Sequence, residues 1–209
     1  MIPKIIHHIW VGNFKIPLRE QKLMENIKKL HPDYEYKLWT TDPDDLPQNM
    51  KEWYDKFYAI KNFVFCADIL RVWAVYKYGG FYLDVDFDIK NKLDYFFEEE
   101  GVFFFHNDTD FTIPNNIFAA NVGSPILEYL ISRVNPECSW YGPSWMGATV
   151  KEYLKVPFQS KQSVVDKALE PFHVKYHQYW DFECRYGRHL SLYSWCPEVW
   201  EKLNKGQQL

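Results

Sequence analysis

Two aspartates separated by one residue, Asp84 and Asp86, end a hydrophobic run that follows a pair of glycines. The run predicts a β-strand over residues 81–86, in which side chains two residues apart point to the same side. Two parallel carboxylates repel each other unless a cation lies between them. Hard oxygen ligands without an accompanying cysteine favour Mg²⁺ or Mn²⁺ over Zn²⁺, and such ions commonly hold phosphate groups. The pair therefore predicts a metal–diphosphate site.

The helix predicted before this strand carries two further charged residues. Residues 63–77 have apolar side chains at helical spacing, and the glycines at 79–80 predict a C-terminal cap with positive φ. Asp68 and Arg71 are three residues apart and share one face of this helix. An intrahelical ion pair, worth about 0.2–0.5 kcal/mol, is the simplest role. Burial near the end of an apolar helix makes that role insufficient alone and favours a function for both residues.

Strands and helices alternate along the first two thirds of the chain. Strands are predicted over residues 4–10, 34–39, 102–105 and 117–120, and helices over residues 18–30, 50–57 and 125–134. After Pro171 we expect only returning strands and loops that cover the site. The alternation predicts a single α/β domain over residues 1–209, with a mostly parallel central sheet flanked by helices. Ligands of such sheets bind outside the carboxyl ends of the strands, where Asp84 and Asp86 are expected.

The composition argues against several classes of protein. The net charge is −4 and no long basic cluster occurs, so neither nucleic acid nor an anionic membrane is expected as a partner. No apolar segment has the length of a membrane span, and the N-terminus lacks the pattern of a signal peptide. The four cysteines show no CxxC spacing, which favours reduced thiols. We therefore expect a cytoplasmic location.

Three motifs occur in a characteristic order: PKIIHHIW at residues 3–10, ADILR at residues 67–71 and YGGFYLDVD at residues 78–86. Together they resemble the DXD-containing sugar transferases of glycosyltransferase family 32, which include initiating mannosyltransferases, and more distantly the glucosyltransferase domains of clostridial toxins. The remainder matches more loosely, through residues 115–121, residues 141–143 and a late histidine. The resemblance implies a GT-A fold, a nucleoside-diphosphate sugar donor, a glycan or other hydroxyl acceptor, and Mn²⁺ or Mg²⁺ as cofactor.

The resemblance assigns donor-binding roles to particular residues. Trp10 matches the ring that stacks on the donor base, which favours UDP over GDP, and an ordinary core tryptophan is the alternative. Asp68 and Arg71 match the pair that holds the donor sugar and diphosphate, and with Asp84 they form the expected catalytic set. Tyr82 shares the side of Asp84 and is expected to direct its hydroxyl to the diphosphate, with a packed core tyrosine as the alternative.

The resemblance also implies a metal shell. Asp86 is expected to contact the metal directly, and Asp84 to contact it through water or the sugar hydroxyls; the alternative is that both residues cap a turn. His189 matches a late element in which a histidine or an acidic residue completes the shell, although a surface histidine is the alternative. Ser194 and Trp195, in the same element, are expected to approach the phosphates.

Other polar residues are weaker candidates. Asn116 and Asn121 either hydrogen-bond the donor sugar or the acceptor, or only supply turns. His173 and His177 have the i,i+4 spacing of zinc ligands, but their neighbours favour a strand, so no zinc site is expected.

The mechanism implied by the family is typically retaining, with the leaving phosphate oxygen accepting the proton of the acceptor. An inverting enzyme needs a base, for which Asp110, Asp181 and Glu183 stay open. A haloacid-dehalogenase-like phosphotransferase is a rival, although residues 87–88 lack the Gly-Thr pair that follows its nucleophile motif. A non-catalytic sugar-binding module is the second rival. The chain is short for an enzyme that also builds an acceptor site, so it is either compact or part of a longer protein.

Overall fold

The structure is a computed structural model, and it describes residues 1–12, 14–98, 101–106, 113–135, 137, 142–157, 174–178 and 185–190. The strands within these residues are β1 (Ile5–Ile9), β2 (Glu35–Trp39), β3 (Gly80–Leu83), β4 (Phe87–Ile89), β5 (Val102–His106), β6 (Ile117–Ala120), β7 (Val174–Gln178) and β8 (Gly187–His189). The helices are α1 (Leu18–Leu30), α2 (Gln48–Ala59), α3 (Phe63–Tyr78), α4 (Asp94–Glu98), α5 (Pro125–Ser132) and α6 (Pro143–Tyr153). The predicted alternation of strands and helices is confirmed.

The main sheet has the strand order β2-β1-β3-β6-β5-β7. β1 is parallel to β2 and β3, β5 is parallel to β7, and β6 is antiparallel to both of its neighbours. The predicted α/β fold with a mostly parallel sheet is therefore confirmed, with β6 as the antiparallel strand. The ends of β1 and β3 and the start of β6 meet at one edge of the sheet, which we call the carboxyl edge. β4 and β8 form a separate antiparallel ribbon.

Helix α3 is the central helix behind this edge. Its N-terminal cap is Asn62, whose side chain accepts from the amide of Phe65. Its C-terminal cap is Gly79, with a φ of 64° and an amide that donates to the carbonyl of Val75. Gly80 has a φ of 99°, and a Cβ there would lie 2.4 Å from the carbonyl oxygen of Ile5. The predicted glycine stop is confirmed, and it allows the chain to turn directly from α3 into β3.

The sheet separates two hydrophobic clusters. Tyr82 and Phe118 pack on the side of α2, α3, α5 and α6, whereas Phe81 and Leu83 pack on the side of α1 and α4. Asp84 continues the alternation of β3 toward α3. This alternation explains why a residue at the end of β3 meets side chains of that helix.

Two buried histidines connect β1 to the elements around it. His7 donates from Nε2 to the carbonyl of Gly79 (2.7 Å) and accepts from the indole of Trp39 (3.1 Å). His8 donates from Nδ1 to the carbonyl of Leu83 (2.6 Å) and accepts from the hydroxyl of Tyr36 (2.5 Å). Burial lowers the pKa of each histidine from 6.5 to about 4, so both are neutral near pH 7. The pair fixes both ends of β3 against β1.

Some predicted boundaries were wrong. The strand predicted over residues 81–86 ends at Leu83, because the chain turns at residues 85–86. Helices α4 and α6 were not predicted, and neither was the β4–β8 ribbon. Among the residues that the structure describes, no helix combines the length and the apolar character needed to cross a bilayer.

Candidate active site

Asp84 and Asp86 lie in the turn that follows β3 at the carboxyl edge. The amide of Asp84 donates to the carbonyl of Asn116 (2.9 Å), and the amide of Phe87 donates back to the carbonyl of Asp84 (3.4 Å). One ligand atom from each of Asp84, Asp86 and His189 lies within 4.8 Å of the other two. The carboxylates therefore converge as expected, but the physical reason we gave was wrong: a turn brings them together, not the alternation of a strand.

His189 reaches the aspartates through the β4–β8 ribbon. It pairs with Phe87 across this ribbon, and the next amide, that of Leu190, donates to the carbonyl of Asp86 (3.0 Å). Its Nε2 lies 2.9 Å from Oδ1 of Asp86 and 3.9 Å from Oδ2 of Asp84. Its Nδ1 lies 3.1 Å from Nδ2 of Asn116. The predicted metal residues Asp84, Asp86 and His189 are therefore neighbours in space.

Arg71 joins the acidic residues of α3 and β3. Its guanidinium contacts Oδ1 of Asp68 at 3.2 Å and Oδ1 of Asp84 at 3.3 Å, and both Arg71 and Asp68 are buried. Nε of Arg71 also donates to the carbonyl of Ala67 (3.2 Å). The intrahelical ion pair considered from the sequence does form, but the same guanidinium also reaches across to the end of β3. Asp68 and Arg71 therefore belong to the same cluster as the aspartate turn.

Asn115 completes this network, and the sequence analysis did not single it out as a site residue. Its carbonyl accepts from Nη1 of Arg71 (2.7 Å), and its amide Nδ2 donates to Oδ1 of Asp68 (2.8 Å). Asn115 immediately precedes Asn116, which contacts His189. Its position next to the candidate Asn116, just before a buried strand, is the signal that could have identified Asn115 as well.

Tyr82, in β3, orients the side chain of Asp84. Its hydroxyl donates to Oδ1 of Asp84 (2.5 Å), and the guanidinium of Arg71 lies over its ring at 4.8 Å from the centroid. The ring is buried and packs against Phe118. The hydroxyl thus orients the carboxylate, and its expected contact with a diphosphate stays a prediction.

The electrostatics of the cluster favour an added positive charge. Burial raises the pKa of Asp68 to about 7, Arg71 opposes this rise and Asp84 adds to it. Burial also raises the pKa of Asp84, again opposed by Arg71 and reinforced by Asp86. Arg71 pairs with Asp68 and Asp84, and Asp86 lies in the same turn as Asp84, so the carboxylates of the cluster outnumber its guanidinium. A divalent cation between the carboxylates would relieve their mutual repulsion.

Glu20 in α1 is a buried carboxylate that the sequence analysis missed. Its side chain is 0% exposed, and neither oxygen has a hydrogen-bond partner among the residues that the structure describes. Nη2 of Arg19 lies 3.6 Å away. Burial raises the pKa of Glu20, and the negative charge of Asp86 adds to this rise. In the sequence, Glu20 shows only as an acidic residue in the first turn of a helix, which is a common pattern.

The remaining predicted residues have different outcomes. Trp10 is half-buried directly after β1, at the carboxyl edge, and its indole donates to the carbonyl of Phe14 (2.9 Å). Asn121 follows β6 at the opposite edge, roughly 17 Å along the strand from Asn116, and contacts Met1 and Gly101. This placement does not support a binding role for Asn121. The other candidates, Ser194, Trp195, Asp110, Asp181, Glu183 and His173, lie outside the described residues.

The donor set fits a hard divalent cation. Carboxylate oxygens are the preferred ligands of Mg²⁺ and Mn²⁺, and an imidazole nitrogen is also accepted by Mn²⁺. Of the two histidines with zinc-like spacing in the sequence, His177 belongs to β7, which confirms the strand expected around it. The Asp84, Asp86 and His189 cluster is therefore the candidate site for the metal that the resemblance implies.

Comparisons with known proteins agree with the resemblance. Residues 17–103 match the family model of the glycosyltransferase sugar-binding region containing a DXD motif. Inositol phosphoceramide mannosyltransferase 3 of Schizosaccharomyces pombe is 40% identical over 44% of this chain and 26% of its own length. Mannosyl phosphorylinositol ceramide synthase SUR1 of Saccharomyces cerevisiae is 28% identical over 92% of this chain and 52% of its own. The chain thus spans about a quarter to about a half of the length of these yeast relatives.

A viral relative is matched over more of its length. An uncharacterized glycosyltransferase of Acanthamoeba polyphaga mimivirus is 26% identical over 95% of this chain and 86% of its own. The resemblance to the DXD-containing sugar transferases is therefore confirmed.

Two solved structures share the fold. The PaToxG glycosyltransferase has a TM-score of 0.62 and 17% identity over 82% of this chain and 85% of its own. A glycosyltransferase involved in the glycosylation of the major capsid of PBCV-1 has a TM-score of 0.50 and 14% identity over 96% and 99%. The predicted GT-A fold is confirmed by these neighbours.

Proposed function

We propose that this chain is a metal-dependent glycosyltransferase that moves a sugar from a nucleoside diphosphate, with UDP favoured, to a hydroxyl of a glycan or another acceptor. The observation that carries the proposal is the convergence of Asp84, Asp86 and His189 at the carboxyl edge of the sheet. The match of residues 17–103 to a DXD-containing sugar-binding region supports it independently.

The metal-binding residues in this proposal are Asp86, His189 and Asp84. When bound, Mn²⁺ or Mg²⁺ would supply Lewis-acid neutralisation of the charge on the departing diphosphate. Tyr82 and Arg71 hold Asp84 in place through the contacts described above.

Three residues at the same edge, Arg71, Asp68 and Trp10, are proposed to bind the donor. Arg71 carries positive charge next to Asp84, so it can offset charge on a diphosphate held there. Asp68 accepts from Asn115 and Arg71, which fixes its carboxylate for a contact with the donor sugar. Trp10 is proposed to stack on the base, and Ser194 and Trp195 to approach the phosphates.

The transfer is proposed to retain the configuration of the sugar. The bond between the sugar and the phosphate breaks, the bond to the acceptor oxygen forms on the same face, and the leaving phosphate oxygen takes the acceptor's proton. This retaining mechanism requires no separate general base, whereas an inverting mechanism does.

Titration of UDP into the protein with and without Mn²⁺ tests the proposal. Asp86→Ala removes a proposed ligand, whereas Asp88→Ala is a matched control, because Asp88 lies on β4 and pairs with Lys90 (2.6 Å). We expect metal-dependent UDP binding in the unsubstituted protein and the control, and loss of it in Asp86→Ala. UDP binding of equal affinity with and without Mn²⁺ would contradict the proposal. Phosphate-ester turnover without nucleotide would favour the phosphotransferase, and sugar binding without metal the binding module.

The donor is identified by a second measurement. Release of nucleoside diphosphate is followed over a panel of UDP-sugars and GDP-mannose, because the Schizosaccharomyces pombe relative is named as a mannosyltransferase. We expect turnover with at least one UDP-sugar. Turnover with GDP-mannose alone would overturn the preference for UDP and leave the proposed reaction intact.

A further inference from the structure

The ring of His189 lies between two hydrogen-bonding groups of different kinds. Nε2 faces the carboxylate of Asp86 (2.9 Å), and Nδ1 faces the amide of Asn116 (3.1 Å). Phe87 contacts the ring at a centroid distance of 5.0 Å, and the backbone pairing of β8 with β4 holds its position. The ring is therefore fixed with one nitrogen toward the acidic turn and the other toward Asn116.

The two ring nitrogens cannot have the same role in a neutral imidazole. One carries the proton and donates, and the other has a lone pair and accepts. A metal ion binds through a lone pair, so metal binding at Nε2 requires the ring proton to be on Nδ1. The partner of Nδ1 therefore decides whether His189 can act as a ligand.

The side chain of Asn116 can serve either tautomer. In the structure its Nδ2 faces Nδ1, an arrangement in which the amide donates to Nδ1 and Nε2–H donates to Asp86. A half-turn of the amide group places Oδ1 at the same position, where it accepts from Nδ1–H and leaves a lone pair on Nε2. The two ends of an amide are nearly equal in shape, so the exchange leaves the volume of the side chain unchanged.

We propose that Asn116 is a positioning residue that sets the tautomer of His189, turning its amide oxygen to Nδ1–H when a divalent cation binds at Nε2. The inference rests on the proposed function, because it assumes the metal site at Asp84, Asp86 and His189. It replaces the contact with the donor sugar or acceptor that the sequence suggested for Asn116. Outer-shell partners of this kind typically change metal affinity by about 10–100-fold.

Titration of Mn²⁺ into four proteins tests the inference. Asn116→Leu removes both hydrogen-bonding ends of the amide, and we expect about 10–100-fold weaker Mn²⁺ binding. Asn116→Asp keeps an acceptor for Nδ1–H, and we expect it to bind Mn²⁺ at least as tightly as the unsubstituted protein. Asn26→Leu is the matched control, because Asn26 donates to Ile89 of the same ribbon (2.7 Å) and is expected to leave the affinity unchanged.

A double variant distinguishes this role from a purely structural one, and NMR tests the change of tautomer on which the role depends. In a His189→Ala background, Asn116→Leu is expected to cause no additional loss of Mn²⁺ affinity. Nitrogen-15 NMR of histidine-labelled, unsubstituted protein is expected to show the ring proton of His189 moving from Nε2 to Nδ1 on saturation with diamagnetic Mg²⁺. This second readout needs no variant and does not depend on whether Asn116→Leu folds.

The outcomes separate this inference from the proposed function. Wild-type Mn²⁺ affinity in Asn116→Leu, equal losses in Asn116→Asp and Asn116→Leu, or a proton that stays on Nε2 at saturating Mg²⁺ would overturn the role of Asn116. If Asp86→Ala still abolishes metal-dependent UDP binding in that case, the transferase proposal survives. Absence of Mn²⁺ binding in the unsubstituted protein would overturn both.

Discussion

The buried histidines of β1 and the acidic cluster after β3 both place polar groups inside the fold, but they differ in how far their charges and hydrogen bonds are paired. Each ring nitrogen of His7 and His8 has one partner, and both rings are neutral. In the acidic cluster, Arg71 pairs with Asp68 and Asp84, Asp86 lies in the same turn as Asp84, and burial raises the pKa of Asp68 and Asp84. The histidine pair can therefore stabilise the fold without a ligand. The acidic cluster retains negative charge that a bound cation could neutralise.

The largest expected effect comes from replacing Arg71, whose guanidinium is the positive charge within the acidic cluster. Arg71→Met leaves the buried Asp68 and the half-buried Asp84 without their partner, which is expected to lower the free energy of unfolding by about 3–5 kcal/mol. Urea unfolding at pH 8 measures the loss. Adding Asp68→Asn should restore part of the stability, because it removes one of the uncompensated charges. No recovery in the double variant would contradict the charge imbalance.

The histidine pair should respond differently. His7→Leu leaves the buried carbonyl of Gly79 without its donor and the half-buried indole of Trp39 without its acceptor, at a total cost of about 1–3 kcal/mol. Mn²⁺ affinity of the folded protein is expected to stay the same, because His7 makes no contact with the acidic turn. A loss of metal affinity equal to that of Asp86→Ala would show that the two regions are not separate.

The two regions should also titrate in opposite directions. The histidines take up protons near pH 6.5 when unfolded but only near pH 4 when folded, so stability falls as the pH falls across this range. Asp68 takes up its proton near pH 7 when folded but near pH 3.8 when unfolded, so the same acidification adds stability. Each group contributes at most about 1.4 kcal/mol per pH unit.

Unfolding curves in EDTA between pH 7 and pH 4.5 measure this opposition. Asp68→Asn should lose stability more steeply on acidification than the unsubstituted protein, because the opposing group is gone. His7→Leu should lose it less steeply. Equal slopes in all three proteins would refute the contrast.

Glu20 gives the smallest expected effect. Its raised pKa means that the folded state holds a proton more tightly than the unfolded chain, so the ionised side chain destabilises the fold at higher pH. Glu20→Gln is expected to raise the free energy of unfolding by about 1 kcal/mol at pH 8, with the gain disappearing in acid. Glu25→Gln, at an exposed position of the same helix, is the control and should change little.

The sequence predicted the fold better than the geometry of the site. The helical spacing in α3 and the glycines after it gave the central helix and strand correctly, because local sequence determines both. The turn at Asp84 could not be distinguished from a longer strand, since its hydrogen bonds with Asn116 and Leu190 come from distant parts of the chain. His189 was identified only through a family resemblance, because its approach to Asp86 depends on pairing between distant segments. Nothing local to Asn115 or Glu20 reveals the partners around them.

The antiparallel pairing of β4 with β8 places proposed metal ligands from distant parts of the chain around one position. An ion held by Asp86 and His189 would act as a cross-link that closes a loop of roughly 100 residues. Its measured affinity would then include the free energy of pairing β8 with β4, so the concentration of the metal would govern how completely the proposed site is assembled.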